Sequence, residues 1–315
     1  MVKIYVNGQG KLLECEEYTP GAWIYAVCPT EEEIGVISEK CGISGEDIRT
    51  VVDDEEPGRV EKLDGGVTLI VTDTPIARKD ENNVINYSVS PVGIFFAKEY
   101  IITVCTMDTT VLKDFALGYV KDVNPAYKTR FYLQLMLYSS GRYMHYLRQI
   151  DRMTVYIEKR LRKNAKNSEL VQMLDLKKSL VYLKTALKKI DSTLYRIERG
   201  RFLKLYEEDL DLLDDVQVEY SQAREMADIY ESVLSCTIET TKAVISNNLN
   251  ETMKRLTSIT VLIAIPTMIA GFYGMNIGME GMPGPAGVFG FWFLTGVSLL
   301  IAALVGIWLY RKKML

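Results

Sequence analysis

The chain changes its hydrophobic rhythm twice. Over the first 125 residues, short apolar runs alternate with turn residues. "VKIYV" and "GVTLIVT" (Gly66–Thr72) have the β-branched and aromatic character of strands, and "VGIFFAKEYIITVCT" reads as a hairpin turning near Lys98–Glu99. Thr30 with Glu33 forms a capping-box pattern that opens a helix through about Cys41, and "TTVLKDFALG" starts another. After Asn124-Pro125 the period becomes helical, as in Leu133, Leu137, Tyr143 or Met144, Leu147 and Ile150. No proline occurs between Pro125 and Pro266, and glycine only at Gly141 and Gly200. "NAKNS" (Asn164–Ser168) and "ERGRF" around Gly200 divide the stretch into two helices and a third starting at about Glu207. Nothing interrupts that third helix before the apolar C-terminus. From Glu207 to Asn276 it covers 70 residues, about 105 Å at 1.5 Å per residue.

The second change is the loss of charge. Leu256–Met279 holds no charged residue over 24 positions, and Gly281–Tyr310 holds none over 30. A bilayer core needs roughly 20 apolar helical residues, so these are two membrane spans, at about 256–276 and 288–310. The competing reading is a buried core hairpin of a soluble protein, but globular helices rarely run so far uncharged. Trp292 and Trp308–Tyr310 lie near the two ends of the second span, as in an aromatic belt. Lys254 and Arg255 precede the spans, and Arg311, Lys312 and Lys313 follow them, while the outer loop 277–287 carries only Glu280. The positive-inside rule then puts both termini in the cytoplasm of a multi-pass cell-membrane protein. "MVKIYVNGQG" lacks the apolar core of a signal peptide. The domains expected are a cytosolic α/β domain (1–125), a helical stalk (126–255) and a transmembrane domain (256–315) with a basic tail at 311–315.

Composition narrows the function. The first 255 residues hold 34 basic and 40 acidic side chains, so there is no basic footprint for nucleic acid. The five cysteines form no C-x-x-C pair and there is one histidine, His145. A zinc or catalytic-thiol site does not follow, and the cysteines read as small buried hydrophobes in a reducing compartment. Without a phosphate-binding glycine loop or nucleophile elbow, the chain does not read as an enzyme and implies no organic cofactor. On the third helix, Met226, Tyr230, Val233, Thr237 and Val244, with Ile245 and Leu249 beside them, make an irregular seam. Such a seam packs against neighbouring helices rather than in a two-stranded zipper. An intramolecular bundle and a ring of copies both satisfy it.

The first span has two different faces. Steps of three and four residues place Asn250, Met253, Thr257, Thr260, Ala264, Thr267, Gly271 and Gly274 on one stripe. Its membrane part is small or hydroxylated throughout, whereas Val261, Ile263, Ile265, Ile269 and Phe272 are bulky. Close helix packing explains small residues. The threonines and Pro266 add polar groups, since proline frees the Leu262 carbonyl, which must meet protein, water or an ion. One chain with two spans cannot enclose a pore, so a pore needs several copies. Hydroxyls and carbonyls without formal charge suit a cation that keeps its water, as Mg²⁺ does.

"PTMIAGFYGMN" (Pro266–Asn276), followed by the short outer loop and a last span ending "YRKKML", resembles the CorA family of magnesium channels. The Gly274-Met275-Asn276 triplet at the outer end of the penultimate span is that family's signature. The likeness covers the order of elements over the whole chain and is closest over roughly 240–276 and 305–315. It implies a funnel-shaped homopentamer in the bilayer, with an α+β cytosolic domain, a long-helix stalk and two C-terminal transmembrane helices. It implies Mg²⁺ as substrate and regulatory ligand, and often transport of Co²⁺ or Ni²⁺ as well. By position, Gly274, Met275 and Asn276 would form the outer selectivity ring that recruits hydrated Mg²⁺. Thr260, Ala264, Thr267 and Gly271 would line the pore, and Asn250, Met253 and Leu256 would form the cytosolic-side constriction. The family also senses Mg²⁺ between adjacent cytosolic domains. The matching acids open the third helix: Asp215 first, then Asp214 and Asp211, with Asp80 or Glu81 as partners from the α/β domain. Acids there also favour a helix N-terminus without any metal.

The outer loop departs from the family pattern. "IGMEGMPGPAG" keeps Met282-Pro283 but carries Glu280 alone, where relatives are more acidic. Attraction of cations is correspondingly weaker unless symmetry concentrates it. Within transport, Co²⁺, Ni²⁺ or Zn²⁺ is the alternative substrate. From a different class, the alternative is a membrane-anchored coiled-coil signalling or scaffold protein. The polar stripe separates the two, because a plain anchor needs no threonines along one face and no asparagine at its exit.

Overall fold

The computed structural model describes residues 1–8, 10–53, 58–79, 84–163, 167–200, 202–275, 288–312 and 314. Its contacts divide the chain into two compact units, Met1–Ile238 and Glu239–Leu315.

In the first unit, β1 (Val2–Gly8), β2 (Lys11–Cys15), β3 (Trp23–Val27), β4 (Arg59–Lys62), β5 (Thr68–Lys79), β6 (Ile85–Phe96) and β7 (Ile101–Cys105) form one sheet in the order β2-β1-β3-β7-β6-β5-β4. Only β3 and β7 pair in parallel; the other neighbours are antiparallel. The hairpin read at Lys98–Glu99 joins β6 to β7, with Phe96 opposite Ile101. Both faces of the sheet are covered, and the period of two sorts side chains between them. From β3, Trp23 and Tyr25 enter one core while Ile24 and Ala26 enter the other. The second core is closed by α1 (Glu31–Cys41) and α2 (Gly45–Val51). The capping box of α1 is formed at both ends by Thr30 and Glu33, and Gly42 closes the helix in the left-handed region at φ 67°.

The other core lies under α3 (Thr110–Ala116), α4 (Lys128–Lys163), α5 (Asn167–Gly200) and the cytosolic part of α6 (Glu207–Tyr273). Trp23 stacks between Tyr5 and Tyr25, at 5.2 Å from each, and donates its indole N–H to Thr103. The helices break where the glycine and "NAKNS" patterns placed the breaks, and α6 begins at Glu207. The seam on α6 differs from expectation. Leu213, Val216, Tyr220, Ala223, Ala227, Leu234 and Ile238 are the buried positions, while Val233, Val244 and Leu249 are exposed and Met226 and Tyr230 half-buried. The buried face includes Ala223 and Ala227, and of the expected seam Met226 and Tyr230 pack at its margin while Val233, Val244 and Leu249 stay outward. Rungs of polar pairs flank this face: Glu198 with Gln217, Asp191 with Arg224, and Lys184 with both Asp228 and Glu231. They recur at seven-residue steps on both helices, the spacing of a coiled-coil edge.

Two cysteines also depart from expectation. Cys41 and Cys105 are buried, and burial pushes each thiol up to about 12, which makes them poor nucleophiles. Cys28 and Cys236, however, are exposed. They occupy a loop and an outward helix position rather than a core.

In the second unit, α6 continues to Tyr273 and α7 spans Val288–Arg311. Both are long and apolar enough to cross a membrane, and only 6% and 11% of their apolar windows are buried. A core hairpin of a soluble protein would be covered, so that reading falls. On α7, Ser298, Ala302 and Gly306 recur every fourth residue, a small-xxx-small seam. A Cβ at Gly306 would already stand 3.5 Å from the Leu262 side chain of α6.

Two outcomes test the body of the fold. A Cβ at Gly93 on β6 would overlap the Val51 side chain of α2, and β-branched valine has little rotamer freedom. Gly93→Ala should therefore cost about 1–3 kcal/mol in denaturant unfolding of the detergent-solubilised chain. An unchanged midpoint would mean that α2 yields. Burial pushes the Asp73 carboxyl up, with Lys189, 3.7 Å away, pulling it partly back. A raised carboxyl contributes stability at pH below its unfolded value, about 4, and loses it as pH rises through the folded one. Stability should fall across that window, and Asp73→Asn should flatten the fall. An identical pH profile in the variant would refute the assignment.

Candidate functional site

The face of α6 that meets α7 carries Ser258, which is buried, and Leu262, which is half-buried. The polar stripe lies elsewhere. Asn250, Met253, Leu256, Thr257, Thr260, Ala264, Thr267, Gly271, Gly274 and Met275 are all exposed, so α7 covers none of them. Nothing lies within 4 Å of a Cβ built at Gly271. Packing within the chain therefore gives no reason for glycine there.

The hydroxyls on this face have a defined polarity. Thr260 donates to the Leu256 carbonyl and Thr267 to the Ile263 carbonyl, each at 2.9 Å. A threonine has one hydroxyl hydrogen, and both are committed to their own helix. What each presents outward is acceptor lone pairs. At these two positions the surface can accept hydrogen bonds from water. Toward its outer end, α6 keeps an α-type bond from the Gly274 N–H to the Ala270 carbonyl and tightens only at Met275, whose N–H bonds the Phe272 carbonyl. Asn276 and Glu280 lie outside the described residues, as do Asp80 and Glu81.

The acids at the start of α6 separate into two groups. Asp209 is buried and accepts from the Tyr206 N–H, and Glu208 accepts from Arg130. These two serve the helix start and the link to α4. Asp211, Asp214 and Asp215 are exposed, with Asp211 and Asp215 one turn apart on one face. Among the described residues, no group of three or more His, Cys, Asp or Glu side chains is placed to hold a metal ion. The structure thus presents these acids outward without assembling them into a site within one chain. Elsewhere, a cavity of about 600 Å³ borders Leu137, Tyr138, Arg142, His145 and Leu212. Its guanidinium is held by Asp114 and the Tyr138 hydroxyl, which leaves a mostly apolar wall.

Sequence reasoning missed Ser258, whose hydroxyl bonds the Met314 carbonyl. The available signal was a hydroxyl in an uncharged run but off the threonine stripe.

Fold and site together define an integral membrane protein whose long helix carries a cation-compatible face through one of two C-terminal spans. The chain belongs to the CorA-like Mg²⁺ transporter family: the sequence model of the CorA-like Mg²⁺ transporter protein matches residues 21–311. It is thus a divalent-cation transporter of the membrane with a cytoplasmic domain, and not an enzyme. The cobalt/magnesium transport protein CorA of Methanocaldococcus jannaschii is 24% identical over 300 residues, 92% of this chain and 90% of that protein. The complete structure of the CorA magnesium transporter from the same organism superposes with a TM-score of 0.80 at 21% identity, over 99% of this chain and 98% of that one. The full-length CmaX protein matches with a TM-score of 0.70 at 16% identity, over 100% and 97% of the two chains.

Proposed function

We propose that the chain assembles as a homopentamer in which five copies of α6 surround a central path for hydrated Mg²⁺ entering the cytoplasm. The observation that carries this reading is the stripe on α6 that α7 leaves uncovered, with threonine hydroxyls turned acceptor-outward and open space at Gly271. A lone pair of spans would expose that stripe to lipid, where polar groups have no use. Facing an axis, it lines a water-filled path. Thr260, Ala264, Thr267 and Gly271 form its wall. Gly274, Met275 and Asn276 form the outer ring, where five amide oxygens accept from first-shell water without stripping it. Glu280 in the outer loop adds negative charge at the mouth. Asn250, Met253 and Leu256 form the cytosolic constriction, where exposed Met and Leu rings gate by dewetting.

Gating in this reading comes from cytosolic Mg²⁺ held between protomers. Asp215 is the first ligand, with Asp214 and Asp211 beside it, and the exposure of all three leaves them available to a neighbouring copy. The chain then divides functionally into 1–125, 126–255 and 256–315. A second substrate class is favoured by the M. jannaschii relative, a cobalt as well as magnesium transport protein. Flux of Mg²⁺, Co²⁺, Ni²⁺ and Zn²⁺ into liposomes, measured ion by ion, decides among them.

Asn276→Ala should cut Mg²⁺ flux by more than about tenfold, the equivalent of roughly 1.4 kcal/mol of barrier, with the oligomer intact by size. Undiminished flux would remove Asn276 from the path. Asp215→Lys should raise the internal Mg²⁺ needed for half-inhibition by about fivefold or more, the lower range of an allosteric coupling. An unshifted inhibition curve would leave Asp215 as a helix-start acid.

A further inference from the structure

The chain does not simply leave the membrane where α7 ends. The Lys312 N–H bonds the Trp308 carbonyl and the Met314 N–H bonds the Leu309 carbonyl, at 3.1 and 3.0 Å. This turn satisfies two of the carbonyls that every helix C-terminus leaves without partners. Leu309 is buried, and the Lys312 ammonium stands 5.5 Å over the Trp308 ring. The turn also brings the carbonyl of Met314 to α6, where it accepts the Ser258 hydroxyl at 3.0 Å.

Ser258 is 1% exposed, the most deeply buried polar residue among those described in this unit. It is two residues from Thr260, about 200° around the helix, so it lies on the opposite face from the stripe. It is also two residues from Leu256, about 3 Å along the axis. The bond therefore ties the C-terminal turn to α6 at the level of the cytosolic constriction. The other approach of α7 to α6 is Gly306 beside the Leu262 side chain, a van der Waals contact with little directional preference. A hydroxyl–carbonyl bond is directional and fixes one depth and one rotation.

We propose that Ser258 is a positioning residue for ion conduction: its hydroxyl clasps the Met314 carbonyl of the C-terminal turn and sets where the inner end of α6 stands against α7. The role rests on the conduction reading above. With the clasp formed, the Leu256 ring is held at a fixed spacing. With it open, the inner end of α6 moves more freely and the constriction closes less completely.

The test uses the full chain in liposomes, with internal Mg²⁺ titrated against flux, and amide hydrogen exchange of the detergent-solubilised chain. Ser258→Ala removes the donor, and truncation after Lys313 removes the acceptor. Each should raise the flux that persists at inhibitory internal Mg²⁺ by about three- to tenfold, the range of one interhelical hydrogen bond. The two combined should do no more than either alone, as for partners in one interaction. Ser258→Thr keeps the hydroxyl and should stay within about twofold of wild type. The amides of Lys312 and Met314 should exchange faster in Ser258→Ala than in wild type. Wild-type behaviour of Ser258→Ala in flux, or additive effects of the two changes, would overturn the positioning role. Unchanged exchange of these amides would overturn the clasp itself. A wild-type chain that passes no Mg²⁺ would sink the conduction reading and the positioning role with it, leaving the clasp to the exchange result.

Discussion

Inside hydrocarbon, a polar group must find its partner within the protein, and this constraint governs the membrane half of the chain. Thr260, Thr267 and Thr295 each return their hydroxyl hydrogen to the carbonyl four residues back, and Ser298 uses the Thr295 carbonyl. Ser258 reaches across to the C-terminal turn instead. Once the hydrogens are committed, the remaining character of each threonine is that of an acceptor. The same economy that lets a hydroxyl enter the bilayer therefore also leaves the outward side of Thr260 and Thr267 acceptor in character. Charge is not needed for this, and none is present between Leu256 and Tyr273.

The cytosolic unit is built under a different rule, since water is available and packing must be won by covering apolar surface. The sheet hides both faces, one beneath two short helices and the other beneath α3–α6. Ala223 and Ala227 lie on the buried face of α6. Ion pairs such as those of Lys184, whose ammonium is held above its usual range by Asp228 and Glu231, line the margin. Exposed pairs of this kind contribute at most about 1 kcal/mol each. Their repeat at seven residues fixes the register of the two helices more than it stabilises their contact. The burial of one apolar face leaves a second one outward, with Val218, Ile229 and Val233 exposed.

Much of this was legible in advance. The capping box at Thr30, the hairpin at Lys98–Glu99, the breaks at Asn164–Ser168 and Gly200, and the start of α6 at Glu207 are local patterns, and local patterns survive folding. The Gly-Met-Asn triplet and the spans before and after it identified the family that the whole-chain comparison shows. The seam on α6 was misplaced because two apolar faces run along the same helix, and a periodic count cannot say which one the neighbours take. Cys28 and Cys236 were misread as buried because residue type predicts burial only on average. Ser258 was passed over because its partner, a backbone carbonyl 56 residues away, has no sequence signature.

By itself the sequence determined the succession of elements, the membrane spans, the polar stripe and the family. Each depends on spacing along one strand of chain, where the helical period already fixes which residues share a face. Only the tertiary structure decided which face of α6 is covered, that α7 leaves the stripe open, and that the C-terminal turn is tied to Ser258. Those are contacts between segments far apart in sequence. They are chosen by complementarity of shape and by the need to pair polar groups, and neither can be read from one segment at a time.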